Sequence, residues 1–443
     1  MKLNRRDFLK TSAGAAAGAA LGGTPLMNWA EAWAADMPFK PEPGASLRAI
    51  RWNRFVETED IQFDKNVAAF QKATGVKFRL DKEWLDDIQP KAAVAANVGA
   101  GPDLLWGPGA TAHLFPDKLL DVTDVADYLG NKYGGWYPVA EKYGMWRGKW
   151  IAIPLCMGGN YPNYRVSWFK EVGFDKFPET TDDFLAASKE LKKSGHPGGF
   201  ALGHASGDGN AWAYWLIWAF GGKLVDENNK VVINSPETVA ALEYGKKLYE
   251  TFIPGTASWL DGHNNKAFLS EQISYTNNGI SIYAACRRKE KESALMKKIG
   301  DDMDHGYWPV GPVGKPTENH QMYPWVAFNF TKYPQASKAF MAFMMEAPQY
   351  NAWLEQSVGY FTQTLKGYDN NKVWTEDPKR KVYADTCRRS LDIAHAGDLG
   401  YAAAAALADF IIIDLVAEAL TGQTTPEKAA KRAEKRANRY YRV

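Results

Sequence analysis

The fold class follows from residues 47–106, which read LRAIRWNRFVETEDIQFDKNVAAFQKATGVKFRLDKEWLDDIQPKAAVAANVGAGPDLLW. Their hydrophobic spacing and turn residues predict, in order, a strand over 47–55, a helix over 64–74, a strand over 76–80, a helix over 88–98 and a buried strand over 102–106. Strands and helices that alternate in this way form βα units. The sequence therefore predicts an α/β protein whose first lobe is built on a largely parallel sheet.

The overall composition is that of an ordinary globular protein. The chain has 443 residues, of which 46% are hydrophobic and 23% are charged. This balance excludes disordered, collagen-like and membrane-spanning proteins, and the length predicts two lobes. The net charge of +2 comes from the first 34 residues, which hold four cations and two anions. The rest of the chain is neutral, which argues against binding driven by charge to nucleic acid or to a lipid surface.

The first 34 residues have the pattern of an export signal. Residues 4–10 (NRRDFLK) place paired arginines before the weakly apolar stretch 13–21, and the small-x-small site Ala32-Trp33-Ala34 follows. This order resembles a twin-arginine signal peptide. The alternative is a basic N-terminus that stays attached. The signal predicts a periplasmic protein that is exported folded and begins near Ala35, and the lack of a Cys after the apolar stretch predicts that it carries no lipid anchor.

Helix starts are marked clearly in the second half of the chain. Thr180, Ser235 and Thr425 each precede a helical pattern and can accept a hydrogen bond from its first turn. Asp183 stands three residues after Thr180, as in a capping box. These residues have a structural role and carry no chemistry.

The stretch 401–420 is apolar and about as long as a membrane span. Asp409, Asp414 and Glu418 interrupt it, and each charge would cost roughly 2.5 to 3.5 kcal/mol inside a bilayer. The stretch therefore predicts a buried core helix. We interpret the basic residues of the last helix, which begins after Thr425, as a solvated face.

Motifs for catalysis and for cofactors are missing from the sequence. The seven histidines include no pair at i, i+4, and none stands beside a Cys at metal-ligand spacing. The sequence also contains no G-x-G-x-x-G, no G-x-x-x-x-G-K and no G-x-S-x-G. We therefore expect no metal and no cofactor. A glycoside hydrolase with two catalytic carboxylates remains open, because the sequence does not give the separation of acid pairs.

The three cysteines are Cys156, Cys286 and Cys387. Their odd number and wide spacing allow at most one disulfide. We expect all three to be buried structural residues, because free Cys is among the most buried residue types.

Tryptophan is abundant, with 17 residues in the chain. Trp52, Trp106, Trp212 and Trp325 stand at predicted strand ends or next to polar, Gly-rich or Pro-containing segments. Ligand pockets in α/β sheets form at the carboxyl ends of strands, and a Trp face there can cover the C–H face of a sugar. The alternative is that each Trp belongs to the core, which is the interpretation that we give to Trp215 and Trp218.

The mature chain resembles the solute-binding proteins of carbohydrate ABC importers, which are similar to maltose-binding protein. The matching segments occur in the family's order: Ile153-Pro154 leading to Tyr164, the segment 168–173 (WFKEVG), the helix 180–191, the aromatic helix 212–222, the helix 234–249, the segment 267–279, the segments 325–328 and 336–344, and the segment 419–429. The resemblance implies a periplasmic-binding-protein-like type II fold, with two α/β lobes joined by a three-segment hinge and a cleft that closes over the ligand.

Mapped onto this chain, the resemblance assigns segments to each lobe and to the hinge. The implied division is 46–157 with 283–326 for lobe 1, 158–276 with 331–443 for lobe 2, and hinge crossings near 154–164, 276–281 and 325–331. The chain departs from the family at Arg165, where Asn is usual after the tyrosine, and at Ser281, where Trp is usual. Thr362 and Thr364 stand where the family has Pro with a nearby Arg. The usual sugar contacts are therefore expected to be replaced.

These observations lead to one functional hypothesis and its alternatives. We expect a periplasmic, monomeric, non-catalytic receptor without a cofactor, which captures a neutral carbohydrate or polyol and delivers it to an ABC permease. The four tryptophans would supply stacking faces. The expected polar contacts, with Gly279 beside them, are Asn53, Asn160, Asp208, Asn210, Asn277, Asn278 and Tyr360. Arg54 or Arg165 in the cleft would instead favour an anionic sugar, and the carboxylate enzyme is the second alternative.

Overall fold

The computed structural model of the protein describes residues 25–53 and 56–442. The paired arginines Arg5 and Arg6, and also Arg54, lie outside these residues. The described chain folds into two α/β lobes around one continuous hydrophobic core. The predicted fold class is confirmed.

A six-stranded mixed sheet forms the centre of the first lobe. In spatial order its strands are Phe361–Gln363, Ile153–Gly158, Gln321–Ala327, Leu104–Trp106, Ser46–Trp52 and Lys77–Glu83. The last three pair in parallel, as the alternation of strands and helices predicts. Gln321–Ala327 runs antiparallel to both of its neighbours, because it enters the sheet from the opposite end after the chain returns from the second lobe.

Helices cover both sides of this sheet. The α-helices of the first lobe are Pro25–Asp36, Glu57–Thr74, Leu85–Val98, Thr111–Leu114, Thr123–Lys132, Pro138–Gly144, Pro334–Met344 and Ala347–Gln356. Short 3-10 turns lie at Pro116–Lys118, Lys366–Tyr368 and Lys372–Trp374, and the strands Met145–Trp146 and Lys149–Trp150 form a small hairpin.

A three-stranded antiparallel sheet forms the centre of the second lobe. Tyr161–Arg165 lies between Tyr275–Asn278 and Met303–His305. The α-helices of this lobe are Val166–Glu171, Thr181–Lys193, Asp208–Ala219, Pro236–Tyr249, His263–Leu269, Ser281–Lys289, Ala294–Asp302, Tyr401–Ala408, Ile411–Leu420 and Pro426–Ala437, with a 3-10 turn at Thr256–Ser258. The short helices Lys381–Ala384 and Thr386–Arg389, with the turn Pro378–Arg380, lead back to it from the first lobe.

The predicted division into lobes is wrong in two places. The resemblance implies that residues 283–326 belong to the first lobe, yet Met303–His305 pairs with Tyr161–Arg165 in the small sheet. It also implies that residues 331–443 belong to the second lobe, yet Pro334–Met344 and Ala347–Gln356 pack against Glu57–Thr74 in the first. A strand pattern identifies a strand but not its partner, and the partners here are more than a hundred residues away in sequence.

Two of the three predicted crossings are wrong for the same reason. The first crossing, expected near 154–164, is found at residues 159–160, between the strands Ile153–Gly158 and Tyr161–Arg165. The crossing expected near 276–281 stays in the second lobe, and the one expected near 325–331 lies inside the first. The chain instead crosses a second time at His320 and a third time near Ser390, where Glu318–Asn319 and Ser390–Leu391 form a parallel two-stranded link.

The three predicted helix caps are confirmed. The hydroxyls of Thr180, Ser235 and Thr425 accept the backbone N–H of Asp183, Thr238 and Lys428, respectively. The backbone of each cap residue is extended, as a residue before a helix requires.

The apolar stretch 401–420 is buried as predicted but is not one helix. It breaks at Phe410, whose φ is 50°. Arg436 of the last helix contacts the carboxylates of Asp409 and Asp414 beside this break. In the described residues, no helix has the length and apolar character needed to span a membrane.

The predicted cleavage site lies in a packed helix. Ala32-Trp33-Ala34 falls within Pro25–Asp36, and Trp33 is buried against Phe343 with ring centroids 5.1 Å apart. The N-terminal helix thus forms part of the first lobe in the full chain. Cleavage after Ala34 stays a prediction.

The cysteine prediction is confirmed: Cys156, Cys286 and Cys387 are buried and free.

Candidate ligand-binding site

A cavity of about 100 Å³ lies between the two lobes. The first lobe contributes Trp52, Gln89, residues 108–111, Tyr323 and Tyr360 to its wall, and the second contributes residues 206–208, Asn210, Asp261, Asn265, Asn278 and Ser281. The crossings contribute Gly159, Asn160, Asn319, His320 and Gln321. The cavity therefore depends on the relative position of the two lobes.

The wall residues of the first lobe stand together because several strands of the sheet end at the same edge. Trp52 ends the strand Ser46–Trp52, and Pro108 follows the parallel strand Leu104–Trp106. Gly159 comes directly after Ile153–Gly158. Side chains at the carboxyl ends of strands meet at one edge of a sheet, which is the usual place of a ligand site in α/β folds.

Aromatic rings form one side of the cavity. Trp52 stacks on Tyr323 with ring centroids 5.1 Å apart and an angle of 7° between the planes. The ring centroid of Tyr360 lies 5.9 Å from that of Trp52, so the three rings form one aromatic cluster. Burial raises the pKa of Tyr323 and of Tyr360, so both keep their protons at neutral pH. This side combines apolar faces with neutral hydroxyl groups.

A network of amides holds Asp208 on the opposite side. The Nδ2 groups of Asn160 and Asn264 donate to the two oxygens of Asp208, at 2.6 and 2.8 Å. Asn277 donates to Oδ1 of Asn160 and to the carbonyl of Asp208, both at 2.8 Å. The network fixes the orientation of the groups that face the cavity.

Asp208 shares this region with a second carboxylate. Asp208 begins the helix Asp208–Ala219, and Asp261 accepts the backbone N–H groups of Gly207 and Asp208 at 3.0 and 2.9 Å. Burial, and then the charge of Asp261, raises the pKa of Asp208 well above its ordinary value. Asp208 can therefore hold a proton at a pH where an exposed Asp is ionised.

The remaining contacts on this side are amides and hydroxyls. Asn210 donates to the carbonyl of Ser206 at 3.0 Å, and Asn278 hydrogen-bonds Asn265. Gly279 lies against Tyr360, and a Cβ added at Gly279 would come within 3.0 Å of the ring. A side chain at this position would push the ring out of its place.

Comparison with known proteins identifies the family. Bacterial extracellular solute-binding proteins match residues 65–382, well over half of the chain. The chain belongs to the bacterial extracellular solute-binding protein family. A twin-arginine translocation signal sequence matches residues 2–22, and this solute-binding protein is exported to the periplasm.

Solved structures show the same fold. Maltose-bound MalE3 of T. maritima has a TM-score of 0.75 and 20% identity, covering 89% of this chain and 99% of that one. A sugar transporter of Arthrobacter chlorophenolicus A6 with laminaribiose has a TM-score of 0.74 and 18% identity, at 89% and 99% coverage. A solute-binding protein of Agrobacterium radiobacter K84 with ribitol has a TM-score of 0.73 and 19% identity, at 90% and 100% coverage.

A curated relative matches a smaller part of the chain. The probable ABC transporter-binding protein of Deinococcus radiodurans is 24% identical over 177 residues. The match spans 38% of this chain and 41% of the length of that relative.

Seven predicted site residues line the cavity of this solute-binding protein. They are Trp52, Asn160, Asp208, Asn210, Asn278, Gly279 and Tyr360. They come from both lobes and from the first crossing, and the fold brings them together at the cavity. That they contact the ligand stays a prediction.

Three of the predicted stacking residues are wrong. Trp106, Trp212 and Trp325 are fully buried in the core and do not line the cavity. The indole N–H of Trp106 donates to the carbonyl of Tyr323, and that of Trp212 donates to the carbonyl of Ala201. A Trp in the middle of a packed sheet or helix is held by apolar contacts on both faces, so neither face is left for a sugar. Trp215 and Trp218 belong to the core, as predicted.

Two predicted polar contacts also lie away from the cavity surface. Asn277 is fully buried behind Asn160 and positions it. The backbone N–H of Asn53 donates to the carbonyl of Glu83, and Asn53 is not part of the cavity wall. Arg165 is buried in ion pairs with Glu271 and Asp302, so it supplies no positive charge to the cleft.

The sequence interpretation missed several residues of the wall. These are Gln89, Asp261, Asn265, Asn319, His320, Gln321 and Tyr323. Asp261 and Asn265 flank the start of the helix His263–Leu269, and His320 lies at a crossing that was placed elsewhere. The available signal was the polar run 317–321 next to an aromatic strand. Among the described residues, no cluster of His, Cys, Asp and Glu could hold a metal ion.

Proposed function

We propose that this protein captures a neutral carbohydrate or polyol in the cleft between its lobes and delivers it to a membrane ABC permease without chemical change. The observation that carries the proposal is the cavity wall. One side is the aromatic cluster of Trp52, Tyr323 and Tyr360, and the other is a set of fixed amides and hydroxyls. A sugar presents this combination of apolar C–H faces and hydroxyl groups.

The charge of the cavity favours a neutral ligand. Asp208 and Asp261 lie in the wall, and no Lys or Arg stands among the wall residues that the structure describes. A sugar acid or sugar phosphate would find no cation to pair with among these wall residues, and an unpaired charge in a partly buried site is costly. Arg165, which would have favoured an anion, is neutralised elsewhere.

The size of the cavity favours a small ligand. A volume of about 100 Å³ is below the roughly 300–1,000 Å³ of pockets for drug-sized molecules. A monosaccharide or a short polyol fits this better than a long oligosaccharide. Proteins of the same fold have been solved with ribitol and mannitol, and also with maltose and laminaribiose, so the preference for a small ligand rests on the cavity volume alone.

The expected affinity is moderate. A transport receptor must release its ligand, so we expect a Kd near the micromolar range, about −8 kcal/mol. Burying roughly 50 Å² of a sugar face on an aromatic ring contributes about 1 kcal/mol of this. Hydrogen bonds to the amides of Asn160, Asn210 and Asn278 would supply specificity.

One observation favours a second candidate function. Asp208, with its raised pKa, and Asp261 place two acids in the cleft wall, and most glycoside hydrolases use two acids. Both oxygens of Asp208 accept hydrogen bonds from amides, and Asp261 accepts two backbone N–H groups. These bonds hold both acids in place within the wall, so we give the binding function precedence.

A ligand screen on the protein purified from the periplasm tests the proposal. The panel contains pentitols, hexitols, monosaccharides, disaccharides, sugar acids and sugar phosphates, and each compound is recovered and analysed after binding. A ligand at 100 times its Kd stabilises the folded protein by about 2.7 kcal/mol. We expect a selective upward shift in Tm with a neutral sugar or polyol that is recovered intact. Conversion of the compound would favour the hydrolase, and a shift with anionic compounds alone would contradict the neutral ligand.

A further inference from the structure

His320 lies where the three crossings between the lobes meet. It is fully enclosed, and its Nδ1 lies 3.0 Å from the backbone N of Asn160 in the first crossing. Its own backbone N–H donates to Oγ of Ser390 in the third crossing, at 3.3 Å. His320 itself forms the second crossing, so one residue contacts the other two.

The partners of His320 determine which ring nitrogen carries the proton. The backbone N–H of Asn160 can only donate, so Nδ1 must accept and the proton is on Nε2. Nε2 lies 3.0 Å from Oε2 of Glu318, a carboxylate that is also completely buried. The imidazole therefore donates to Glu318 and accepts from Asn160 at the same time.

Arg389 completes the network from the third crossing. Its Nε and Nη2 donate to Oε1 of Glu318 at 2.8 and 2.6 Å, and its guanidinium lies over the ring of Tyr307 at 4.0 Å. Oε1 of Glu318 thus accepts from Arg389, and Oε2 accepts from His320. The chain of contacts runs from Arg389 through Glu318 and His320 to Asn160.

This series of contacts from Arg389 to Asn160 ends at the cavity wall. The backbone of Asn160 is held on both sides, by Nδ1 of His320 and by the indole N–H of Trp308, which donates to its carbonyl at 2.8 Å. The side chain of Asn160 then donates to Asp208 in the cavity wall. A shift of His320 would therefore move Asn160 and Asp208 relative to the aromatic side.

We propose that His320 is a positioning residue for ligand binding: together with Glu318 and Arg389 it connects the three crossings and fixes Asn160 in the wall of the cleft. The inference rests on the proposed function, since it assigns a role within the same site.

Glu318→Gln tests the network with almost no change in size. The amide can offer its oxygen to Arg389, and then its NH2 group faces the Nε2–H of His320. To accept a hydrogen bond from this NH2 group at Nε2, the histidine would have to carry its proton on Nδ1. The Nδ1–H would then face the backbone N–H of Asn160. The opposite orientation sets the NH2 group against the guanidinium. Either orientation places two donors together, and we expect Kd for the ligand found in the screen to rise about tenfold.

A second substitution should reverse this effect. His320→Asn leaves an oxygen near the position of Nδ1 to accept from Asn160, but it is too short to reach residue 318. The single variant H320N should weaken binding less than a variant without this acceptor, and the double variant E318Q/H320N should bind more tightly than E318Q alone. His320→Leu, which removes the acceptor, should bind about tenfold more weakly than the wild type.

Glu346→Gln is the matched control, because Glu346 is equally buried but lies outside the cavity wall.

Titration calorimetry gives Kd for each variant, and thermal unfolding gives Tm. We expect E346Q to lower Tm and to leave Kd unchanged, which separates positioning from general stability. An unchanged Kd in E318Q, or a double variant as weak as E318Q, would overturn the inference. If E318Q is not recovered folded, H320N and H320L decide: equal Kd values would overturn the inference. A wild type that binds no compound of the panel overturns the proposed function and this inference with it, whereas variants that all bind like a binding-competent wild type overturn this inference alone.

Discussion

Asp208 combines burial with a neighbouring carboxylate, and both raise its pKa. The folded protein therefore keeps a proton on Asp208 at a pH where the unfolded chain, with a pKa of 3.8, has lost it. The free energy of unfolding falls with pH wherever the folded state binds more protons. The contribution of Asp208 to stability is thus full below about pH 4 and is lost as the pH rises through its folded pKa.

The first prediction concerns this pH dependence. The difference in unfolding free energy between the wild type and Asp208→Asn should decrease as the pH rises from about 4 to 8, because Asn cannot ionise. Urea unfolding at several pH values measures it. Asp81→Asn is the control of opposite sign: burial opposes the shift, but hydrogen bonds from Arg48 and Arg79 lower the pKa of Asp81. Its contribution is present above the unfolded pKa and is lost in acid. A difference for Asp208 that does not change with pH would contradict the prediction.

The second prediction concerns the aromatic side of the cavity. Trp52→Leu keeps an apolar side chain under Tyr323 but removes the flat face, and we expect Kd to rise about fivefold, which corresponds to about 1 kcal/mol. Trp325→Phe is the control. It removes part of a fully buried ring that does not reach the cavity, so it should lower Tm and leave Kd unchanged. Calorimetric titration distinguishes the two variants, and a larger loss of affinity in the Trp325 variant would contradict this assignment of the site.

These tryptophans show what sequence predicts at the scale of a residue. Trp52, Trp106 and Trp325 have similar local contexts, since each stands in or at the end of a strand beside polar or turn residues. Trp52 meets the cavity, whereas Trp106 and Trp325 stack on one another inside the sheet with centroids 6.1 Å apart. The difference arises from antiparallel pairing between positions 106 and 325, which are 219 residues apart, and no local pattern contains it.

At the scale of helices and strands, local signals were sufficient where a side chain acts on its own backbone. The cap at Thr180 depends only on residues 180–183, and the sequence predicted it correctly. The bounds of the first two predicted helices were too short at their starts, because Glu57–Thr74 and Leu85–Val98 begin without a side-chain cap. Helix starts that tertiary packing determines leave no such signal.

The third prediction concerns the cap at Thr180. Thr180→Ala removes the acceptor for the backbone N–H of Asp183 and should lower the free energy of unfolding by about 1 kcal/mol. Thr180→Ser keeps the oxygen and should retain most of the stability. Urea unfolding measures both. Equal losses in the two variants would mean that the methyl group, rather than the hydroxyl, stabilises this helix start.

At the scale of the whole molecule, the site exists only because two lobes face each other. The order of family-like segments along the chain predicted two lobes and a cleft. It could not predict that the second crossing comes at His320, since this depends on the antiparallel entry of Gln321–Ala327 between Ile153–Gly158 and Leu104–Trp106. The missed wall residues His320, Gln321 and Tyr323 all follow from that single pairing.

The last prediction concerns the N-terminal helix. Ala30 and Trp33 are buried on the first lobe, and Nε1 of Trp33 donates to Oε1 of Glu346 at 3.0 Å. Glu346 also accepts from Tyr128, Lys132 and Tyr133, so loss of Trp33 leaves its charge partnered. A chain that begins at Ala35 should therefore fold but should be less stable than one that begins at Pro25, by about 2–3 kcal/mol.

Urea unfolding of the two chains measures this difference, and Trp33→Ala in the longer chain is the control that should lose a similar amount. Their Kd values should agree, because the helix lies outside the cavity wall. Equal stability of the two chains would show that the helix contributes nothing to the folded first lobe. The intact mass of the protein purified from the periplasm then shows at which residue the exported form begins. A mature form that starts at Ala35 has given up the helix contacts, whereas a longer form keeps them as a permanent part of the first lobe.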